Sequence, residues 1–152
     1  MTDYIVVERS LPITASPEEL SQHIVDFHKW LDWSPWEGLD PNLSRTYSGS
    51  GSGVGAKYEW AGNKKAGAGN MLITSVEPAA IKLDLNFTKP FKSETKTTFD
   101  FAQDGDVTTV VWKVLTPKSF MLRVAGIFMN LDKQVGPDLE KGLAALKAIV
   151  EE

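Results

Sequence analysis

Apolar residues change their spacing twice along this chain, and the changes divide it into three stretches. Residues 4–14 (YIVVERSLPIT) are rich in Ile and Val and predict a first strand. Ser16-Pro17-Glu18-Glu19 then supplies serine at an N-cap, proline at the first helical position and glutamate two positions further on. That is a capping box, and it predicts a helix start. Leu20, Ile24, Phe27 and Leu31 follow at helical spacing and share one face. Extended at about 100° per residue, the same helix sends Trp33 to the opposite, wet side. Pro35 disfavours helix at Ser34. A break is therefore expected near residues 28–32, followed by a short turn that re-aims Trp33 and Trp36.

From residue 43 to 116 the period is two. Six strands are expected, at about 43–49, 54–62, 67–77, 80–89, 93–103 and 106–116. Asp104-Gly105 marks a hairpin, and Pro78 and Pro90 punctuate two other connections. Leu83, Leu85 and Phe87 oppose Lys82, Asp84 and Asn86, while Ala56, Tyr58 and Trp60 oppose Lys57 and Glu59. Val110, Trp112 and Val114 oppose Thr109 and Lys113, with Val111 as the exception. One wet face and one dry face predict an antiparallel sheet covered on a single side. Glu59, Asp84, Glu94 and Asp100 fall on the wet face with Lys57, Lys82, Lys96 and Lys113, where cross-strand pairs contribute a few tenths of a kcal/mol each.

From about residue 118 the period returns to helical. Phe120, Val124, Phe128, Leu131 and Val135 form one stripe, continued by Leu139, Leu143, Leu146 and Val150. A kink or break is expected at Gly136-Pro137, because proline removes a helix hydrogen bond. Some thirty helical residues would span ~45 Å, enough to cross the sheet.

One long helix and two short ones must then cover a sheet of six or seven strands. A helix is about 10 Å wide and a long sheet curls, so volume is left between them. Trp36, Tyr58, Trp60, Phe87, Phe91, Trp112, Met121 and Phe128 are the bulky groups available to line it. Any one of them, taken singly, reads as core packing. Together they read as the wall of an apolar pocket, with Tyr58 able to orient a ligand oxygen. Trp30, Trp33 and Trp36 sharpen the point, since three of the five tryptophans fall within seven residues and must face a core, a partner or a cavity.

Composition narrows the function. At 152 residues the chain suits one domain, residues 1–152, with a core that needs no staples. Its net charge of −4 argues against nucleic acid or an anionic membrane as partner. Cysteine is absent, which rules out disulfides and thiolate chemistry and fits a reducing compartment. No stretch has the form of a signal peptide or approaches the ~20 apolar residues of a membrane span, so a cytoplasmic protein without stable membrane insertion is expected.

The remaining motifs carry little chemistry. SGSGSGVG, residues 48–55, has glycine at every second position but matches no phosphate loop, dinucleotide fingerprint or nucleophile elbow. It reads first as a flexible hairpin connection and second as a mobile lip at a cavity entrance. His23 and His28, five apart, point about 140° from each other on one helix and cannot share a metal. They read as surface or flanking histidines. Arg123 lies off the apolar stripe, and Val25 and Met129 point away from theirs, a weak hint of self-association.

The element order resembles the START-like (SRPBCC) superfamily, and within it the polyketide cyclase/dehydrase and lipid-transport branch. The resemblance covers nearly the whole chain. Its most specific parts are Trp33-Ser34-Pro35-Trp36 with Asp40-Pro41, and Gly53-Val54-Gly55-Ala56-Lys57-Tyr58-Glu59-Trp60 with Gly62-Asn63. Gly67-x-Gly69, Lys89-Pro90-Phe91 and the run from Val135 to Leu143 add to it. The resemblance implies an α+β helix-grip fold, a curved antiparallel sheet of about seven strands wrapped round a long C-terminal helix, with an apolar tunnel between.

The first reading of function is a module that binds or transports one small hydrophobic or amphipathic molecule, such as a lipid, polyketide or quinone. It needs no metal, nucleotide or other cofactor, and acts as a monomer or weak homodimer. The alternative is a cyclase or dehydratase acting in the same cavity, ranked second because the expected inward faces carry almost no ionisable group. A groove that receives another chain's helix or tail is the third.

Overall fold

The computed structural model describes residues 4–35, 42–63, 67–89, 92–117 and 131–151, with side chains from residue 135 onward in the last of these. The first strand is β1 (Tyr4–Ile13), followed by α1 (Pro17–Ile24) and a 3₁₀ turn (Phe27–Asp32). Six strands come next: β2 (Ser44–Gly49), β3 (Ala56–Ala61), β4 (Ala68–Glu77), β5 (Ala80–Lys89), β6 (Ser93–Asp104) and β7 (Val107–Pro117). The long helix α2 (Leu131–Val150) closes the chain. The seven strands form one curved antiparallel sheet in the order β1-β7-β6-β5-β4-β3-β2. Hairpin connections explain five of the six neighbour pairs. The sixth, β1 against β7, brings the two ends of the strand region together.

Alternation sets the faces as expected. Ile81, Leu83, Leu85, Phe99, Phe101, Val110, Trp112 and Val114 are buried on the inner side. On the outer side Lys96 Nζ meets Asp84 at 3.2 Å, and Lys113 Nζ lies 3.3 Å from Asp100 and 3.7 Å from Glu8. These exposed pairs are worth at most a few tenths of a kcal/mol each. They matter more for register, because a one-residue slip would turn the charges inward.

Helix α1 begins where the capping box places it: Ser16 Oγ accepts from the Glu19 N–H at 3.2 Å. It ends earlier than expected. Val25 is its C-cap, Asp26 caps the 3₁₀ turn, and the break therefore falls at residues 25–26 rather than 28–32. Leu20, Ile24 and Phe27 stay on the buried face, but the tighter turn throws Leu31 outward, where it is 46% exposed. Val25 is half-buried against the core, not a free surface residue.

Helix α2 runs unbroken through Pro137, so the break expected there does not occur. Proline costs one backbone bond there. Three buried leucines on the following turns, Leu139, Leu143 and Leu146, hold the helix to the sheet. The approach is tight: a Cβ on Gly142 would lie 2.7 Å from the Trp112 ring and 2.9 Å from Pro35. At the far end Thr14 N–H donates to Glu151 Oε2 at 2.7 Å and Lys147 Nζ to Glu151 Oε1. The Lys147 hydrogen bond, aided by that of Thr14, holds the Glu151 carboxyl below the usual glutamate range. The earlier stripe residues Phe120, Val124 and Phe128 lie outside the described residues.

Candidate functional site

Trp30 and Trp33 sit where the chain bends, and their indole groups complete the helix before them. The last carbonyls of a helix lack intrahelical donors. Trp30 Nε1 donates to Ile24 O at 2.7 Å and Trp33 Nε1 to His23 O at 3.0 Å, so both rings close the end of α1 while entering the core. Their centroids are 4.5 Å apart, and Trp33 meets Trp112 at 5.6 Å. Trp112 in turn stacks on Phe99 at 4.9 Å. Trp112 is thus enclosed by Trp30, Trp33, Phe99 and α2, in the seam that joins helices to sheet.

A second aromatic group lies on the same inner face, across β2 to β5. Tyr47 opposes Tyr58, Tyr58 opposes Met71, and Met71 opposes Leu85. One row further along, Trp60 opposes Gly69 and Gly69 opposes Phe87. Trp60 stacks on Tyr58 at 6.0 Å and meets Phe87 edge-on at 5.7 Å. The meeting across an intervening strand depends on Gly69. A Cβ there would stand 2.7 Å from Trp60 Cη2 and 2.2 Å from Asn86 O. Tyr58 is buried, whereas Trp60 and Phe87 are only half-buried despite facing inward. Among the described residues, α2 packs chiefly on β1, at the other side of the sheet. Phe27, 6.0 Å from Tyr58 and 5.6 Å from Trp30, joins the two aromatic groups.

Three hydroxyls on β6 face the same side: Ser93, Thr95 and Thr97, all buried. Thr95 Oγ1 donates to Leu85 O at 2.6 Å. The Ser93 and Thr97 hydroxyls have no hydrogen-bond partner among the described residues. Their signal is visible in the sequence, where they alternate with Glu94, Lys96 and Thr98. Small hydroxyls on a dry face are a fainter signal of a site than aromatic rings. Arg9 was missed likewise. It opposes Trp112 on the inner face, and its Nε lies 3.3 Å from Glu140 Oε2 on α2.

The glycine-rich connection is tied down rather than hanging free. Gly53 N–H donates to Val25 O at 3.0 Å and Gly55 N–H to Ile73 O at 2.9 Å, anchoring it to the end of α1 and to β4. With the 3₁₀ turn it borders a half-open cleft of about 220 Å³ beside His28 and Tyr47. His28 stacks on Tyr47 with centroids 3.9 Å apart. Among the described residues no group of three His, Asp or Glu side chains is placed to hold a metal ion, and no helix is long and apolar enough to cross a membrane.

Of the eight expected wall residues, Tyr58, Trp60 and Phe87 come together on β3 and β5, and Trp112 stands apart in the seam. Trp36, Phe91, Met121 and Phe128 lie outside the described residues, as do Arg123 and Met129.

Solved structures share this architecture at low identity. A protein from Chromobacterium violaceum is 14% identical, with 97% of each chain covered and a TM-score of 0.68. Norcoclaurine synthase from Thalictrum flavum, solved with dopamine and hydroxybenzaldehyde, is 13% identical over 98% of this chain and 87% of its own, with a TM-score of 0.68. The Aha1 dimer from Colwellia psychrerythraea is 16% identical over 94% and 96%, with a TM-score of 0.61. Among curated proteins none matches significantly. The profile of the polyketide cyclase / dehydrase and lipid transport family matches residues 4–151, and the chain belongs to that family.

Proposed function

We propose that the protein binds one small hydrophobic or amphipathic molecule against the inner face of β3 to β5, with Tyr58, Trp60 and Phe87 as the wall. One observation carries this reading: Trp60 and Phe87 point to the dry side of the sheet, yet each keeps part of its ring exposed. Apolar surface on an inward face that the protein leaves partly uncovered is surface a ligand can cover. Ser93, one strand beyond Phe87 in the same row, adds a hydroxyl able to orient a ligand oxygen. Trp36, Phe91, Met121 and Phe128 complete the wall in this reading, and Trp112, in the seam, stays outside it.

The test uses anilinonaphthalene sulfonate as probe, with the Trp60→Ala variant beside the parent protein. Covering about 60 Å² of the Trp60 ring at roughly 25 cal/mol/Å² is worth about 1.5 kcal/mol, close to a tenfold change in affinity. The expected result is saturable binding by the parent and about tenfold weaker binding by a folded Trp60→Ala protein. Equal affinities would remove Trp60 from the wall, and the absence of saturable binding would remove the pocket.

A further inference from the structure

Two rows of side chains cross the inner face from β2 to β6, and the protein covers them unequally. The first runs through Tyr47, Tyr58, Met71, Leu85 and Thr95. His28 stacks on Tyr47 and Phe27 packs on Tyr58, so the 3₁₀ turn covers this row, and its last four members are buried. The second row runs through Arg45, Trp60, Gly69, Phe87 and Ser93. There both rings are half-buried and Arg45 is exposed.

Arg45 belongs to the inner row on two grounds. It directly opposes Trp60 in the β2–β3 ladder, and opposed residues share a face. It also lies two residues before Tyr47, and alternate residues of a strand share a face. Tyr47 is fixed to the inner side by its ring, which meets that of Tyr58 at 5.2 Å. A guanidinium therefore stands beside the half-buried rings, on the last strand of the sheet. The row is graded from the exposed charge of Arg45, through Trp60 and Phe87, to the buried Ser93. Gly69 puts no side chain between the two rings, which meet edge-on at 5.7 Å. With strands about 4.8 Å apart, the row spans about 10 Å from Trp60 to Phe87 and about 14 Å from Arg45 to Phe87.

We infer that the ligand of this wall is an anion, a molecule with an apolar body roughly 10 Å long and a carboxylate at one end. The inference rests on the ligand-binding reading above. The body lies across β3 to β5 on Trp60 and Phe87. The carboxylate pairs with the Arg45 guanidinium, whose planar fork matches two carboxylate oxygens. Orientation follows from the grading of the row. At the β2 edge the acid group keeps part of its hydration, and the apolar end points toward Ser93. Reversed, the charge would enter the buried end of the row, which its desolvation disfavours.

Decanoate and 1-decanol are the probes, titrated at about pH 7.5 and followed by tryptophan fluorescence. They share an apolar chain of suitable length, and only decanoate is charged. Arg45 is exposed, so Arg45→Gln is expected to leave the fold intact. The expected result is saturable binding of both probes by the parent. Arg45→Gln should weaken decanoate about fivefold and leave decanol within about twofold, because solvent screening keeps an exposed ion pair modest. Salt at about 0.5 M should shrink the decanoate difference. Trp60→Ala, in contrast, should weaken both probes alike. Undiminished decanoate affinity in Arg45→Gln, or a loss that decanol shares equally, would overturn the inference and leave the aromatic wall standing. Failure of both probes to bind the parent saturably would remove the wall, and the inference with it.

Discussion

Trp33→Ala is expected to destabilise the protein by about 3–5 kcal/mol, the largest loss any single truncation here should produce. Three effects add at this position. Trp33 is 2% exposed and touches Trp30, Phe99 and Trp112, so truncation opens a cavity at the junction of α1, the sheet and α2. Its Nε1 also donates to His23 O, and losing that donor leaves a carbonyl at the end of α1 without its partner. The Trp33 ring further supports Trp112, against which α2 lies so closely that only glycine fits at residue 142. Equilibrium unfolding in urea measures the loss. A drop below about 1 kcal/mol would show that the seam is not where the fold is secured. Trp60→Ala makes a useful contrast, since Trp60 is half-buried and should cost much less.

Gly69→Ala comes next, with an expected cost of about 1–3 kcal/mol. Replacing a strand glycine with alanine ordinarily gains up to about 1 kcal/mol through the unfolded chain. Here the clash should win. The new methyl would lie 2.2 Å from Asn86 O, a backbone atom in the β4–β5 ladder that cannot turn aside as a side chain does. It would also press on the Trp60 ring and separate it from Phe87. Stability and affinity for anilinonaphthalene sulfonate should therefore fall together. Gly51→Ala is the comparison: no atom lies within 4 Å of its added methyl, and its stability should stay within about 0.5 kcal/mol of the parent. Should the two variants match in stability, the crossing of β4 by Trp60 is not as tight as described.

The fold was legible because its signals are local and repeated. Strand boundaries agree with the alternating pattern to within two residues, from Ser44 at the start of β2 to Pro117 at the end of β7. The capping box located α1 correctly because serine and proline act there through short-range geometry. The end of α1 was harder to place. It is set by tertiary bonds from two indole groups six and ten residues downstream, which no periodicity reveals. Pro137 does not break α2, because its local cost is outweighed by burial on later turns. The aromatic wall was partly legible. Alternation put Tyr58, Trp60 and Phe87 on one face, but their contact depends on a glycine in the intervening strand. The cleft at His28 could not be read at all. It needs the 3₁₀ turn and the glycine hairpin brought together by Gly53 and Val25.

The most direct test of the ligand-binding account is a crystal structure with anilinonaphthalene sulfonate bound. The account predicts the probe within about 4 Å of both Trp60 and Phe87, on the inner face of the sheet. A probe seated elsewhere, with those two rings covered by the protein's own side chains, would contradict it.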